Sequence, residues 1–422
     1  MPQRMTMLTG RSGSSLGVLT NFPKGPRLGI DEKSTLAGIL GQEGYHTQAV
    51  GKMHFYPARA RWGFDNVILH PDDYINFLED NGYGAIYRGH GLGGNEIYPG
   101  VFPAPEKFYH TNWIVEESIR FLYRRDPDCP FFLTMVFEAP HSPFDPPPPY
   151  DRFYDNFTIP APAKGDWNTL SDYPPDFTFT CTAGKYYDLT PEAIAESRRR
   201  YYGQITNIDY QLGRLLGALK AMNLDDNTAI IFTSDHGELL GDHGLFWKYC
   251  FLEGAARVPF IVRFPQTMEV ERAVNITTPV MTEDIMPTIL DIAGIDIPND
   301  VEGQSLLDNI PDDRIIYGEI VNSAFAVDKN NKYIYYQNGG VEQLFNPVQD
   351  PDDLHNLIKL PEYKEVHNHL QTKLINHLES HNSDKTKNCK FVRKDLKFDE
   401  KEAMTKNLSG CLGPMRSGSF YS

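Results

Sequence analysis

The stretch TAIIFTSDHG (228–237) joins a run of strand length directly to a carboxylate and an imidazole, Asp235 and His236. Its apolar part is β-branched and aromatic, which predicts a strand buried on both faces. The same arrangement recurs twice: HTQAV (46–50) runs into GKMH, with Lys52 and His54, and FFLTMVF (131–137) into EAPH, with His141. In an open parallel sheet the carboxyl ends of the strands share one edge, where ligands usually bind. The pattern predicts a large, mostly parallel α/β sheet flanked by helices, with these ionisable side chains converging on one crevice.

The segments between these strands support helices on the faces of the sheet. STLAGILGQEG (34–44) reads as a short helix with Ser34 at its start and Gly44 at its end. Thr190 and Pro191 read as the cap and first turn of a long helix, whose Ile205, Ile208, Leu212, Leu215, Leu216 and Leu219 fall at helical spacing toward the sheet. DIMPTILDIAG (284–294) reads as another helix ending at Gly294, and 258–265 as a further strand with an edge turn. After about residue 310 the pattern changes to short runs such as KYIYYQ (332–337) and EQLFN (342–346), separated by Asn, Gly and Asp. The expected organisation is an α/β domain over 1–310, a smaller C-terminal antiparallel α+β subdomain over 311–380, and a polar extension with little core of its own over 381–422. The proline run 146–149 is expected to be a stiff surface loop.

Composition narrows the partners. With 40 Lys+Arg against 56 Asp+Glu the formal net charge is −16, which opposes nucleic acid and anionic lipid. No run reaches the ~18–20 apolar residues of a membrane helix. The five cysteines, Cys129, Cys181, Cys250, Cys389 and Cys411, are scattered and form no Cys-x-x-Cys pair, so neither a disulfide framework nor a zinc cluster is indicated.

Each ionisable residue taken alone has an ordinary reading. Asp235 can cap a helix, Lys52 and Lys248 can be solvated lysines, His54 and His141 can be satisfied hydrogen-bonding residues, and Arg4 and Arg11 can be surface charges on an amphipathic first helix. Their joint placement at strand ends argues for a site. Lysines and an arginine neutralise anionic oxygens, histidines move protons, and a carboxylate with an imidazole can hold a hard divalent cation. That inventory suits cleavage of a sulfate or phosphate ester.

The motifs resemble the sulfatases of the alkaline phosphatase superfamily over nearly the whole chain, including the arylsulfatase and choline-sulfatase-like members. PQRMTMLTGR (2–11) is similar to the tail of the signature Cys/Ser-x-Pro-x-Arg followed by Leu-Thr-Gly-Arg, GKMH to Gly-Lys-x-His, and PHSP (140–143) to Pro-His-x-Pro. SDHGELLGDHG (234–244) with Lys248 and then EGAARVPFIVRFP (253–265) resembles the second metal and lysine segment, and QLFNPVQDPDDLHNL (343–357) the family's C-terminal motif. The resemblance implies roles residue by residue. Arg4 holds the nucleophile and metal-bound oxygens; Lys52, His141 and Lys248 grip sulfate, with Lys248 or His141 giving a proton to the leaving alcohol; His54 is the base. Asp235 and His236 complete a calcium site, His236 standing where Asn is more usual. The nucleophile is a formylglycine made from Cys or Ser. The signature places it one residue before Met1, together with a first strand bearing two aspartates, so the chain as written is expected to be truncated and to show no turnover. The implied substrate is a small-molecule or carbohydrate sulfate ester. A phosphonate or phosphate ester hydrolase of the same superfamily, or a non-catalytic relative that binds a sulfated ligand, is the alternative. Compartment and oligomeric state have no signal in the sequence.

Overall fold

Ala49 and Val50 are successive residues of one strand and both are fully buried. Successive side chains of a strand point to opposite faces, so both sides of this sheet must be covered. A computed structural model describes residues 2–21, 29–87, 90–168, 173–175, 177 and 189–395 of the chain. Met1, Cys181, Cys411 and the later part of the expected extension, 396–422, lie outside the described residues, as do parts of the 142–190 segment. In chain order the elements are α1 (Pro2–Thr9), α2 (Leu36–Gln42), β1 (His46–Gly51), β2 (Asn66–Leu69), α3 (Asp72–Asp80), α4 (His110–Arg124), β3 (Phe131–Val136), α5 (Pro191–Ala221), β4 (Ile230–Thr233) and α6 (Glu253–Ala256). They continue with β5 (Phe260–Arg263), α7 (Ile285–Ile292), β6 (Ile316–Ile320), β7 (Ser323–Val327), β8 (Lys332–Tyr336), β9 (Val341–Phe345) and α8 (Lys364–Ser380).

The sheet β2-β1-β3 is parallel throughout. Ala49 faces a core made with Met5 and Leu8 of α1, Leu36 and Leu40 of α2, and Met286 and Leu290 of α7. Val50 faces the other core, with Tyr74 and Leu78 of α3, Trp113 and Ile114 of α4, and Ile208 of α5. Strand β4 pairs antiparallel with β5 in a separate ladder, Ile231 opposite Val262. The C-terminal strands form the antiparallel sheet β6-β7-β8-β9, with α8 packed on it through Leu370, Leu374 and Leu378. The α/β architecture with a smaller antiparallel C-terminal sheet is as the sequence predicts.

Several local expectations are corrected. The α2 cap is Thr35, whose hydroxyl accepts the Gly38 amide at 3.1 Å, while Ser34 closes a 3-10 turn before it. Strands β3 and β4 are half-buried rather than enclosed, since among the described residues β3 pairs only with β1 and β4 only with β5. Thr190 does cap α5, accepting the Ala193 amide at 3.2 Å, and Ile208 and Leu219 are buried. Ile205 and Leu216 are exposed, however, so the apolar positions overstate the face the helix buries. Pro146 and Pro147 are buried beneath the surface that Pro148 and Pro149 expose. In the 381–422 segment, residues 381–395 are mostly exposed but are pinned to the C-terminal sheet at two points. Lys385 is fully buried with its Nζ 2.7 Å from Glu319, and Phe391 stacks on Tyr335 at 3.8 Å.

Candidate functional site

An open cavity of about 3010 Å³ lies at the carboxyl ends of β1, β2 and β3, and the end of β4 opens into it too. Arg4, Lys52, His54, His141, Asp235, His236 and Lys248 all line it. The shared parallel direction of β1 and β3 accounts for Lys52, His54 and His141 arriving at one edge. Asp235 and His236 reach the same place although, among the described residues, no ladder joins β4 to those strands. Arg4 comes from α1, anchored by buried Met5 and Leu8. Just beyond that helix Gly10 has φ +62, and its carbonyl accepts the amides of Glu302 and Gly303 at 2.8 and 3.0 Å. A Cβ there would lie 2.7 Å from Val301 Cγ1, so this turn needs glycine.

The polar groups are arranged in pairs. Arg4 Nε donates to Asp235 Oδ2 at 2.9 Å. Burial alone would raise the Asp235 carboxyl, but Arg4, His236 and Lys248 overcome that and hold it well below the usual carboxylate range. Lys248 Nζ lies 2.6 Å from His141 Nε2, while His141 Nδ1 donates to the Ser142 carbonyl at 2.8 Å. Because a carbonyl can only accept, Nδ1 carries the hydrogen, and Nε2 of the neutral ring is left to accept from the lysine. Burial first, then Lys248, Lys52 and His236, pushes the His141 pKa down. His236 is pushed down to about 4, burial and Lys248 outweighing the pull of Asp235.

His54 has φ +52, in the left-handed region that is uncommon for a side chain of its size. Its side chain is exposed to the cavity. Partial desolvation there, followed by the positive charges of the chain's amino terminus, Lys52 and Arg4, lowers its pKa, so at neutral pH it is an imidazole able to accept a proton.

Asp235 and His236 were expected to hold a divalent cation. His236 Nδ1 donates to the Gly237 carbonyl at 2.8 Å, which leaves the Nε2 lone pair, 3.8 Å from Asp235 Oδ1, as a possible ligand. A calcium ion takes ~6–8 oxygens. Among the described residues no group of three or more His, Cys, Asp or Glu side chains is placed to hold a metal. The pair fits a cation only as part of its shell.

Two buried side chains join the site that the motifs do not mark. Glu138, the second residue beyond β3, places Oε1 3.2 Å from Lys52 Nζ and Oε2 3.2 Å from His70 Nε2. His70 follows β2 immediately and packs among Tyr74, Tyr87 and His110. The signal for both was the one already used, an ionisable residue just after a strand. β2 is only four residues long and its sequence gives no strand pattern, and within EAPH the motif singles out His141 alone.

Similarity to known proteins agrees with this geometry. The family model described as Sulfatase matches residues 1–295, and that described as N-sulphoglucosamine sulphohydrolase, C-terminal, matches residues 241–380. The chain is 35% identical to an arylsulfatase of Clostridium perfringens over 92% of its own length and 86% of the relative's. It is 28% identical to a choline-sulfatase of Rhizobium meliloti, over 78% of this chain and 67% of that one. The fold is similar to that of a phosphonate monoester hydrolase from Silicibacter pomeroyi, with a TM-score of 0.73, 22% identity and coverage of 90% of this chain and 86% of the other. A protein solved in complex with D-glucosamine-2-N,6-O-disulfate superposes with a TM-score of 0.69 at 22% identity, covering 90% and 88% of the two chains.

Proposed function

This chain belongs to the sulfatase family, and from that premise we propose that its crevice binds and cleaves a sulfate monoester of a small molecule or carbohydrate. The observation that carries this reading is the convergence of Arg4, Lys52, His141 and Lys248 on one cavity. Relatives that act on aryl, choline and N-acetylglucosamine sulfates support the substrate class.

Arg4, already oriented by Asp235, directs its remaining guanidinium edge at anionic oxygens. Lys52 and Lys248 neutralise the sulfate oxygens, where fixed donors act more strongly than water would. Of the two candidates for protonating the leaving alcohol, the pairing favours Lys248. It donates to His141 Nε2, whose own proton affinity is depressed, and the imidazole fixes the ammonium in place. His54, unprotonated at neutral pH, serves as base on the nucleophile's second hydroxyl.

A formylglycine hydrate would provide that hydroxyl, and a divalent cation such as calcium, partly held by Asp235 and His236, would add electrostatic stabilisation of the ester oxygens. The test is hydrolysis of an aryl sulfate by the protein produced with a formylglycine-generating system. Turnover is expected, with its loss in the Lys248→Ala variant; full activity after Lys248→Ala would overturn the site.

A further inference from the structure

Glu138 presents a problem for an anion site. A carboxylate only 5% exposed sits 3.2 Å from Lys52, one of the groups meant to attract an anion, and offsets much of its charge. The arrangement is built rather than incidental. Lys52 is 22% exposed and turned toward the cavity, while the other carboxylate oxygen of Glu138 faces buried His70 at 3.2 Å. Removing one partner from such a pair would leave an uncompensated charge in a low-dielectric wall, so the protein keeps both.

We propose that Glu138 sets the charge of the ester this crevice accepts, holding Lys52 in place while penalising a dianion more than a monoanion. The inference rests on the proposed sulfate-ester site. A ligand oxygen in hydrogen-bond contact with Lys52 lies within about 6 Å of the Glu138 carboxylate. At that range Coulomb repulsion scales with the charge on the ligand, so a phosphate monoester, doubly charged above neutral pH, is repelled about twice as strongly as a singly charged sulfate monoester. The carboxylate thereby separates two esters of nearly the same shape. Lys52 keeps enough charge and two further ammonium hydrogens to bind the monoanion.

The experiment is calorimetric titration of methyl sulfate and methyl phosphate at pH 8, where the first is a monoanion and the second a dianion, into residues 1–422. Glu138→Gln should improve methyl phosphate binding by about tenfold relative to methyl sulfate. Glu138→Asp, which retains the charge, should keep the wild-type ratio. A merely structural role for Glu138 would weaken both ligands together and leave the ratio unmoved, and that result would overturn the inference. Lys52→Met is the control for the underlying site. If it weakens neither ligand, the sulfate-ester reading itself fails; if it weakens both while Glu138→Gln leaves the ratio unchanged, only the charge selection fails. Should Glu138→Gln alone not fold, Lys52→Met compared with Lys52→Met/Glu138→Gln isolates the same carboxylate in a background without the lysine. The double variant should then favour methyl phosphate by a similar factor, and an equal ratio in the two would overturn the inference.

Discussion

Lysines are enclosed in one region of this molecule and half-buried in another, and they are treated differently. Where the α/β part meets the C-terminal sheet, Lys332 is 2% exposed and its Nζ is 2.7 Å from both Glu253 and Asp353. Below the same sheet Lys385 is completely enclosed, with Glu319 at 2.7 Å and Asp384 at 3.7 Å. In the crevice Lys52 meets a carboxylate at the longer distance of 3.2 Å, and Lys248 meets an imidazole. The first pair of lysines is matched by carboxylates and walled in, an arrangement that fixes the packing of two layers. The second pair is held by weaker partners at a wall open to solvent, an arrangement that leaves charge for a ligand. The two pairs thus differ together in burial and in the strength of their compensation.

The largest effect that could break this contrast is expected at Lys332. Lys332→Ala strands two buried carboxylates and should cost about 3–5 kcal/mol of stability, read from denaturant unfolding. A loss below 1 kcal/mol would mean the triad contributes little and the contrast is empty. Lys248→Ala should do the reverse in the active enzyme, lowering kcat/KM at least ~100-fold, or about 2.7 kcal/mol, while stability changes by less than ~1 kcal/mol. Steady-state kinetics and a thermal melt on the same preparation decide it.

Glu283 sharpens the comparison from the other side, as a buried carboxyl whose neighbouring Arg314 is bound to Asp284 at 2.7 Å. Burial, then Glu302 and Asp284, pushes it up to about 8, against the pull of Arg314. A carboxyl whose pKa is higher folded than unfolded binds its proton more tightly in the fold. Its contribution is complete below the unfolded value near 4.5 and is lost as pH rises through about 8. Glu283→Gln should therefore gain stability over the wild type with rising pH, on the order of 2 kcal/mol by pH 9. Melting curves at pH 5 and pH 9 that shift equally in both proteins would contradict this. The smallest effect is at the α5 cap, where Thr190→Ala should cost about 1 kcal/mol without altering ligand binding. That variant calibrates what an ordinary local loss looks like beside the lysine substitutions.

The sequence made the crevice legible because its strands announce themselves. β1, β3 and β4 are apolar runs that stop abruptly at charged residues, so Lys52, His54, His141, Asp235 and His236 could be placed at one edge from spacing alone. The compensation of those charges was not legible. His70 stands behind a strand too short to recognise, and the contact between Lys52 and Glu138 joins segments 86 positions apart. The buried face of α5 was overread because helical periodicity counts apolar residues without knowing where the neighbouring elements end, and Ile205 and Leu216 fall outside them. Residues 381–395 looked too polar for a core. Their anchor is a lysine, which becomes a core residue only because Glu319, far away in the chain, is waiting for it.

Glu319 also receives the hydroxyls of Ser14, from the loop just after the Arg4 helix, and Ser383, the latter at 2.7 Å. One carboxylate thus fastens the front of the chain to its late residues, across the width of the protein. A knot of that kind ties local melting in one part to melting in the other. Hydrogen exchange at the backbone around Ser14 and around Lys385 should then occur through a shared opening, with protection rising and falling together rather than region by region.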